Sequence, residues 1–194
     1  MALHRLMSHQ MDVPDAFAVS LTCLEANVIM LPDDEMKKPA LLHYLGVSLG
    51  HRFTQKREVV DLDKAVLVLQ EAVQLSSDGS PGILSFLSDL DESCSRRFDI
   101  LQHPSDTYQS LLTRKRILHL TSDEDLQKLY RLDALGLSFF LHGQQLCDIV
   151  ALNESISVYE IAMALVPVDH SLKPSLLNNL GLALHSFRTP RCAW

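Results

Sequence analysis

Glycine and proline are scarce in this chain, at seven and eight of 194 residues. An all-β sandwich or barrel turns every few residues and would carry more of both, so the scarcity excludes that class. No apolar run approaches the roughly 18 residues that a membrane-spanning helix needs, and no membrane partner is expected. Met1–Gln10 has basic residues but neither an apolar core nor a small-residue cleavage site. It does not read as a secretory signal, and the expectation is a cytoplasmic protein. Excess positive charge is also missing: the net charge is −7 and the pI about 5.6. The basic residues are scattered as Lys37-Lys38, Lys56-Arg57, Arg96-Arg97 and Arg114-Lys115-Arg116. A nucleic-acid binder gathers them into a patch or stripe, so no nucleic acid is expected, and the last cluster reads as a solvated helix face.

Chemistry-bearing patterns are just as sparse. The four cysteines, Cys23, Cys94, Cys147 and Cys192, lie far apart and form no CxxC pair. Reduced thiols suit the cytoplasmic reading. Nine histidines stand at no metal-ligand spacing, and there is no GxSxG, HExxH or phosphate loop. No cofactor, no metal and no enzyme activity are expected. A Cys–His site assembled from distant positions stays as a remote alternative.

What the chain does have is a period. Leu45, Leu90, Leu135 and Leu180 stand 45 residues apart, and three of them precede a glycine: Gly46, Gly136 and Gly181. Three residues earlier come Leu42, Leu87, Leu132 and Leu177; four later come Leu49, Cys94, Phe139 and Leu184. An apolar set at i, i+3 and i+7 is one stripe of an α-helix, and four copies at one period mean the helix is duplicated. Cys94 fills a core slot there and reads as a small buried hydrophobe. A second helix follows at the same period. Ala65, Val66, Leu69, Ala72, Val73 and Leu75 recur as Ser155, Ile156, Tyr159, Ala162, Met163 and Leu165. Copies also run from Ser110 to Leu120 and from Ser20 to Met30. Turns follow at Pro32-Asp33, Ser77-Asp78, Ser122-Asp123 and Pro167-Val168-Asp169, where Pro or Ser before Asp stops one helix and can start the cap of the next. Each unit is helix, loop, helix, turn.

These units resemble the tetratricopeptide repeat (TPR). The matching residues are Leu42, Leu45-Gly46 and Leu49 with Ala65, Leu69, Ala72 and Ser77, then Leu132, Leu135-Gly136 and Phe139 with Ser155, Tyr159, Ala162 and Pro167. A close helix crossing needs a missing side chain, which would set Gly46 against Ala65. The family period is about 34 residues. The surplus is expected as about seven residues in the loop within a pair and about four in the turn between units. Asp61-Leu62-Asp63-Lys64-Ala65-Val66, Glu71-Ala72-Val73-Gln74-Leu75 and Lys173 to Gly181 are similar to the long TPR arrays of basidiomycete fungi. Those arrays are related to kinesin-light-chain-type repeats and often precede a caspase-like CHAT domain.

The fold that this resemblance implies is all-α, a right-handed α-solenoid of helix pairs. A poorly ordered segment 1–13 precedes a helical repeat domain over 14–188, with a tail at 189–194. The domain divides into a half repeat 14–37, units 38–82, 83–127 and 128–172, and a half repeat 173–188. The second unit departs from the pattern: Asp91 replaces the crossing glycine and Arg114 replaces Leu24, Leu69 or Tyr159. Either change alone would bury an unpaired charge. An ion pair and loose packing of an eroded unit are both open.

The resemblance also implies a function, a scaffold that holds a partner peptide or helix on the concave wall of first helices. The wall residues would be His43 and Val47, Ser88 and Glu92, Asp133 and Leu137, and Asn178, Leu182 and His185, with Gly50, Ser95 and Phe140 beside them. Asn178 stands out because an amide can both donate to and accept from a bound backbone. The alternative is a regulatory arm of a larger protein whose CHAT-like effector lies outside the chain. An uncovered last helix would leave apolar surface open to self-association.

Overall fold

The computed structural model describes residues 13–33 and 35–189. Nearly all of the segment 1–13 and of the tail 189–194, Cys192 included, lie outside those residues. Every element among the described residues is an α-helix, and the chain divides into two compact units. The first ends at Ser76 and holds α1 (Val13–Met30), α2 (Lys38–Lys56) and α3 (Val59–Gln74). The second begins at Ser77 and holds α4 (Ile83–Leu101), α5 (Pro104–His119), α6 (Lys128–Leu146), α7 (Ile149–Leu165) and α8 (Lys173–Arg188). Within each unit every helix packs on the next one in sequence, and α6 also touches α8. Helices α2, α4, α6 and α8 start at Lys38, Ile83, Lys128 and Lys173, which keeps the 45-residue spacing.

The apolar stripes explain the packing. Leu42, Leu45, Leu49, Leu87, Leu90, Cys94, Leu132, Leu135 and Phe139 are all buried. Ala65, Val66, Leu69 and Ala72 on α3 are buried with them, as are Ser155, Ile156, Tyr159 and Ala162 on α7. In the second unit one cluster joins Leu111 of α5, Leu132 and Phe139 of α6, Tyr159 of α7 and Leu176 of α8.

Three expectations change. The connection within a pair is two residues long, not an extended loop: 57–58, 102–103 and 147–148. The surplus over a period of about 34 residues goes into the helices instead, and into turns of 75–82, 120–127 and 166–172. Each of α2, α4 and α6 ends on a left-handed residue, Arg57, Gln102 or Cys147, with φ near 60°, 54° and 53°. Its N–H donates to the carbonyl of Phe53, Phe98 or Gly143, which closes the helix in one step. Second, what fills the space over Gly46 is Leu69, one turn beyond the expected Ala65. A Cβ on Gly46 would sit 2.5 Å from Leu69 Cγ, and one on Gly136 would sit 2.7 Å from Tyr159 Cζ. The crossing slot is therefore glycine against a large residue one turn further along. Third, the turn aspartates do not cap the next helix. Asp33 and Asp123 pair with Lys38 and Lys128, the first residues of α2 and α6. Where Ile83 replaces that lysine, Arg116 of α5 takes Asp78 at 2.7 Å.

The slot makes a prediction of opposite signs. Gly136→Ala drives its methyl into the Tyr159 ring and should cost about 1–3 kcal/mol as overpacking. A Cβ on Gly181 meets nothing within 4 Å, so Gly181→Ala should stabilise by up to about 1 kcal/mol through helix propensity. Urea unfolding of both variants checks the signs.

Candidate functional site: the groove between α4 and α6

The second unit departs from the repeat at its crossing slot, and the departure is built rather than eroded. Asp91 of α4 stands where α2 and α6 have Gly46 and Gly136; Arg114 of α5 stands where α3 and α7 have Leu69 and Tyr159. Arg114 Nε lies 2.9 Å from both carboxylate oxygens of Asp91. Ser110 Oγ donates to the same carboxylate at 2.7 Å. The guanidinium reaches on to α6, where Nη1 donates to the Ala134 carbonyl at 2.7 Å and to Ser138 Oγ at 2.8 Å. Nη2 points back to Ser95 Oγ at 3.4 Å. One arginine thus ties three helices, using most of its five donors. The loose-packing alternative does not hold.

A second ionic motif supports this site, and the sequence reading missed it. Arg97 of α4 and Asp106 of α5 form a forked pair, with Nε 3.1 Å from both oxygens and Nη2 2.5 Å from Oδ1. Asp106 is only 1% exposed. Forty-five residues earlier Arg52 and Asp61 repeat the pair, at 2.8 and 2.5 Å. In the third copy both partners have changed together, to His142 and Ala151. His142 is buried there, with Nδ1 3.4 Å from Thr107 Oγ1. Joint loss is what physics demands, since one partner left alone would be an uncompensated buried charge. The signal was in the sequence, as Arg52/Arg97 and Asp61/Asp106 keep the 45-residue period.

Between α4 and α6, with α5 as its floor, lies a cavity of about 320 Å³. Phe98, Leu137 and Leu141 give it apolar walls; Ser95, Thr107, Ser110, Arg114 and Ser138 give it a polar floor. Asp99 and the paired Asp106 complete it. One end is tied by Gln145 of α6, whose Nε2 donates to the Gln102 carbonyl at 3.1 Å. The basic run around the site is engaged locally: Lys115 sits 4.7 Å from the Phe139 ring centroid and Arg116 holds Asp78.

Of the residues predicted for the wall, Leu137 lines this cavity, and so does Ser95 beside it. Ser88 and Glu92 lie exposed on α4, with Ser88 Oγ donating to the Leu84 carbonyl and Glu92 holding Arg96. Asp133 accepts from Asn179 Nδ2 at 3.0 Å, a link from α6 to α8. Asn178, Leu182 and His185 are exposed on α8. His43 and Val47 are half-buried on α2 in the other unit. Cys94 is fully buried behind the site, and burial, more than the nearby Asp106 carboxylate, pushes its thiol up to about 12. A thiol held protonated in this way is a poor nucleophile. Tyr159 has a buried hydroxyl near Asn179 whose geometry falls short of a hydrogen bond, and burial raises its phenol as well.

In comparisons with known proteins, no family model, no curated protein and no solved structure matches this chain.

Proposed function

We propose that the chain is a protein-interaction scaffold, a right-handed α-solenoid of TPR-like helix pairs that seats a partner segment along its first helices. In this reading the groove between α4 and α6 is the anchoring subsite. The observation that carries it is the cavity itself: half-exposed leucines stand at its mouth and a fixed guanidinium with four hydroxyls at its floor. Small-molecule sites run from about 300 to 1,000 Å³. At 320 Å³ this one fits one or two apolar side chains, with a peptide carbonyl or hydroxyl on the polar floor. Arg114 is already neutralised by Asp91, so the site favours a polar neutral group over an acidic tail.

The test is a peptide-display selection on the intact chain, counter-checked with Leu137→Glu. Leu137 is 39% exposed, so a carboxylate there leaves the fold alone and blocks an apolar anchor. Losing a central anchor costs about 2 kcal/mol or more. Enriched peptides should therefore bind the variant at least about tenfold more weakly, with unchanged helicity and melting. Equal binding to both proteins would remove the groove from the function.

A further inference from the structure

Three charged residues line the α4–α6 groove, Asp99, Asp106 and Arg114, and two of them are cancelled inside the fold. Arg97 closes on Asp106, and Asp91 closes on Arg114. Arg96, three residues before Asp99, holds Glu92 at 2.5 Å. Asp99 has no such partner among the described residues, and it is exposed at the edge of the cavity.

Its place in the helix is unfavourable as well. Helix α4 ends at Leu101, so Asp99 stands in the last turn, where the carbonyl end of a helix repels a carboxylate. That turn holds no base to offset it. An unpaired acid kept against the local field, beside a cavity, is a conflict that packing does not explain and a binding site does. The surroundings share its sign. Residues 77–189 carry fourteen Asp and Glu against nine Lys and Arg, so the field around the groove draws a basic segment and repels an acidic one. On the floor the Arg114 guanidinium keeps a second cation out, which leaves a base only the mouth, at Asp99.

We infer that the occupant of the groove is a basic segment of a partner protein. One apolar side chain sits between Phe98, Leu137 and Leu141, and a neighbouring lysine or arginine pairs with the Asp99 carboxylate. This rests on the peptide-binding reading of the groove and adds the charge of the partner. An ion pair at an exposed carboxylate adds modest affinity; its larger effects are on partner choice and association rate.

Peptide-display selections on the intact chain and on Asp99→Lys test it, followed by fluorescence anisotropy of the selected peptides at low and high salt. Lysine suits the last turn of a helix, so this variant should keep its fold, and Asp99→Asn, nearly the same shape, serves as the second. Wild-type pools should carry Lys or Arg beside the apolar anchor, and Asp99→Lys pools should lose that preference. A wild-type-selected peptide should bind Asp99→Asn about two- to fivefold more weakly and Asp99→Lys about tenfold more weakly. Salt should narrow both gaps. Neutral or acidic pools from wild type overturn the basic occupant. Leu137→Asn, which removes the apolar wall without adding charge, separates the two readings. Peptides lost on Leu137→Asn but held equally by wild type and both Asp99 variants overturn this inference and leave the groove reading in place. Peptides that bind all four proteins alike, or no enrichment at all, overturn both.

Discussion

Arg97→Ala should destabilise the protein by about 3–5 kcal/mol, because it strips the paired cation from a carboxylate held out of water. Asp106 is 1% exposed, and the Arg97 side chain covering it is itself 17% exposed, so solvent screens the pair weakly. Against a total stability of about 5–15 kcal/mol, a loss of that size threatens the second unit as a whole. The chain carries its own remedy. Where the third copy has lost the arginine, it has also lost the acid, leaving His142 and Ala151. The double substitution Arg97→His with Asp106→Ala should therefore recover most of the loss, since replacing both members of a buried pair is often neutral. Chemical denaturation of the single and double variants measures it. A single variant within about 0.5 kcal/mol of wild type, the range of ordinary surface changes, would contradict the ionic account.

The second large effect is a coupling. Asp91→Gly leaves Arg114 without its carboxylate, and Arg114→Leu leaves Asp91 with Ser110 alone. Both members are 18% exposed, so each single change should cost less than a fully buried pair, about 2–3 kcal/mol. Made together they recreate the Gly46–Leu69 slot of the first unit. The double variant should lie close to wild type, so the coupling energy should approach the sum of the two single costs, about 4–6 kcal/mol. Additive costs would mean that the two residues act separately. The restored slot has a functional consequence as well: it removes the guanidinium from the groove floor, so the double variant should fold yet lose the polar part of peptide binding.

The helix pattern was legible because it rests on apolar residues at fixed spacing. The stripes through Leu45, Leu90 and Leu135 are buried as their register demands, and Asp91 and Arg114 meet because both occupy the crossing slot. The stripe on α8 has the same residues, yet Leu177 and Leu184 stay exposed, so pattern alone does not fix burial. The two-residue connections were hidden for a different reason. Arg57, Gln102 and Cys147 adopt left-handed backbone without glycine, so no composition cue marks the end of a helix there. That Leu69, one turn beyond Ala65, fills the space over Gly46 was not legible, because the spacing gives a face and not the height at which two axes cross. The buried Arg–Asp pairs leave no apolar signal, and only the 45-residue spacing of Arg52 and Arg97 and of Asp61 and Asp106 marks them in the sequence. The groove is a consequence of three helices packing around Arg114, and of its lining the sequence marked Leu137, Ser95 and Arg114.

The claim that matters most is that the α4–α6 groove takes a partner segment. It is met most directly by amide chemical-shift mapping of the labelled chain titrated with a display-selected peptide. The account predicts perturbations that centre on Ser95, Phe98, Arg114, Leu137 and Ser138, with α2 and α3 unchanged. Saturable shifts centred elsewhere, with those five residues still, would contradict it.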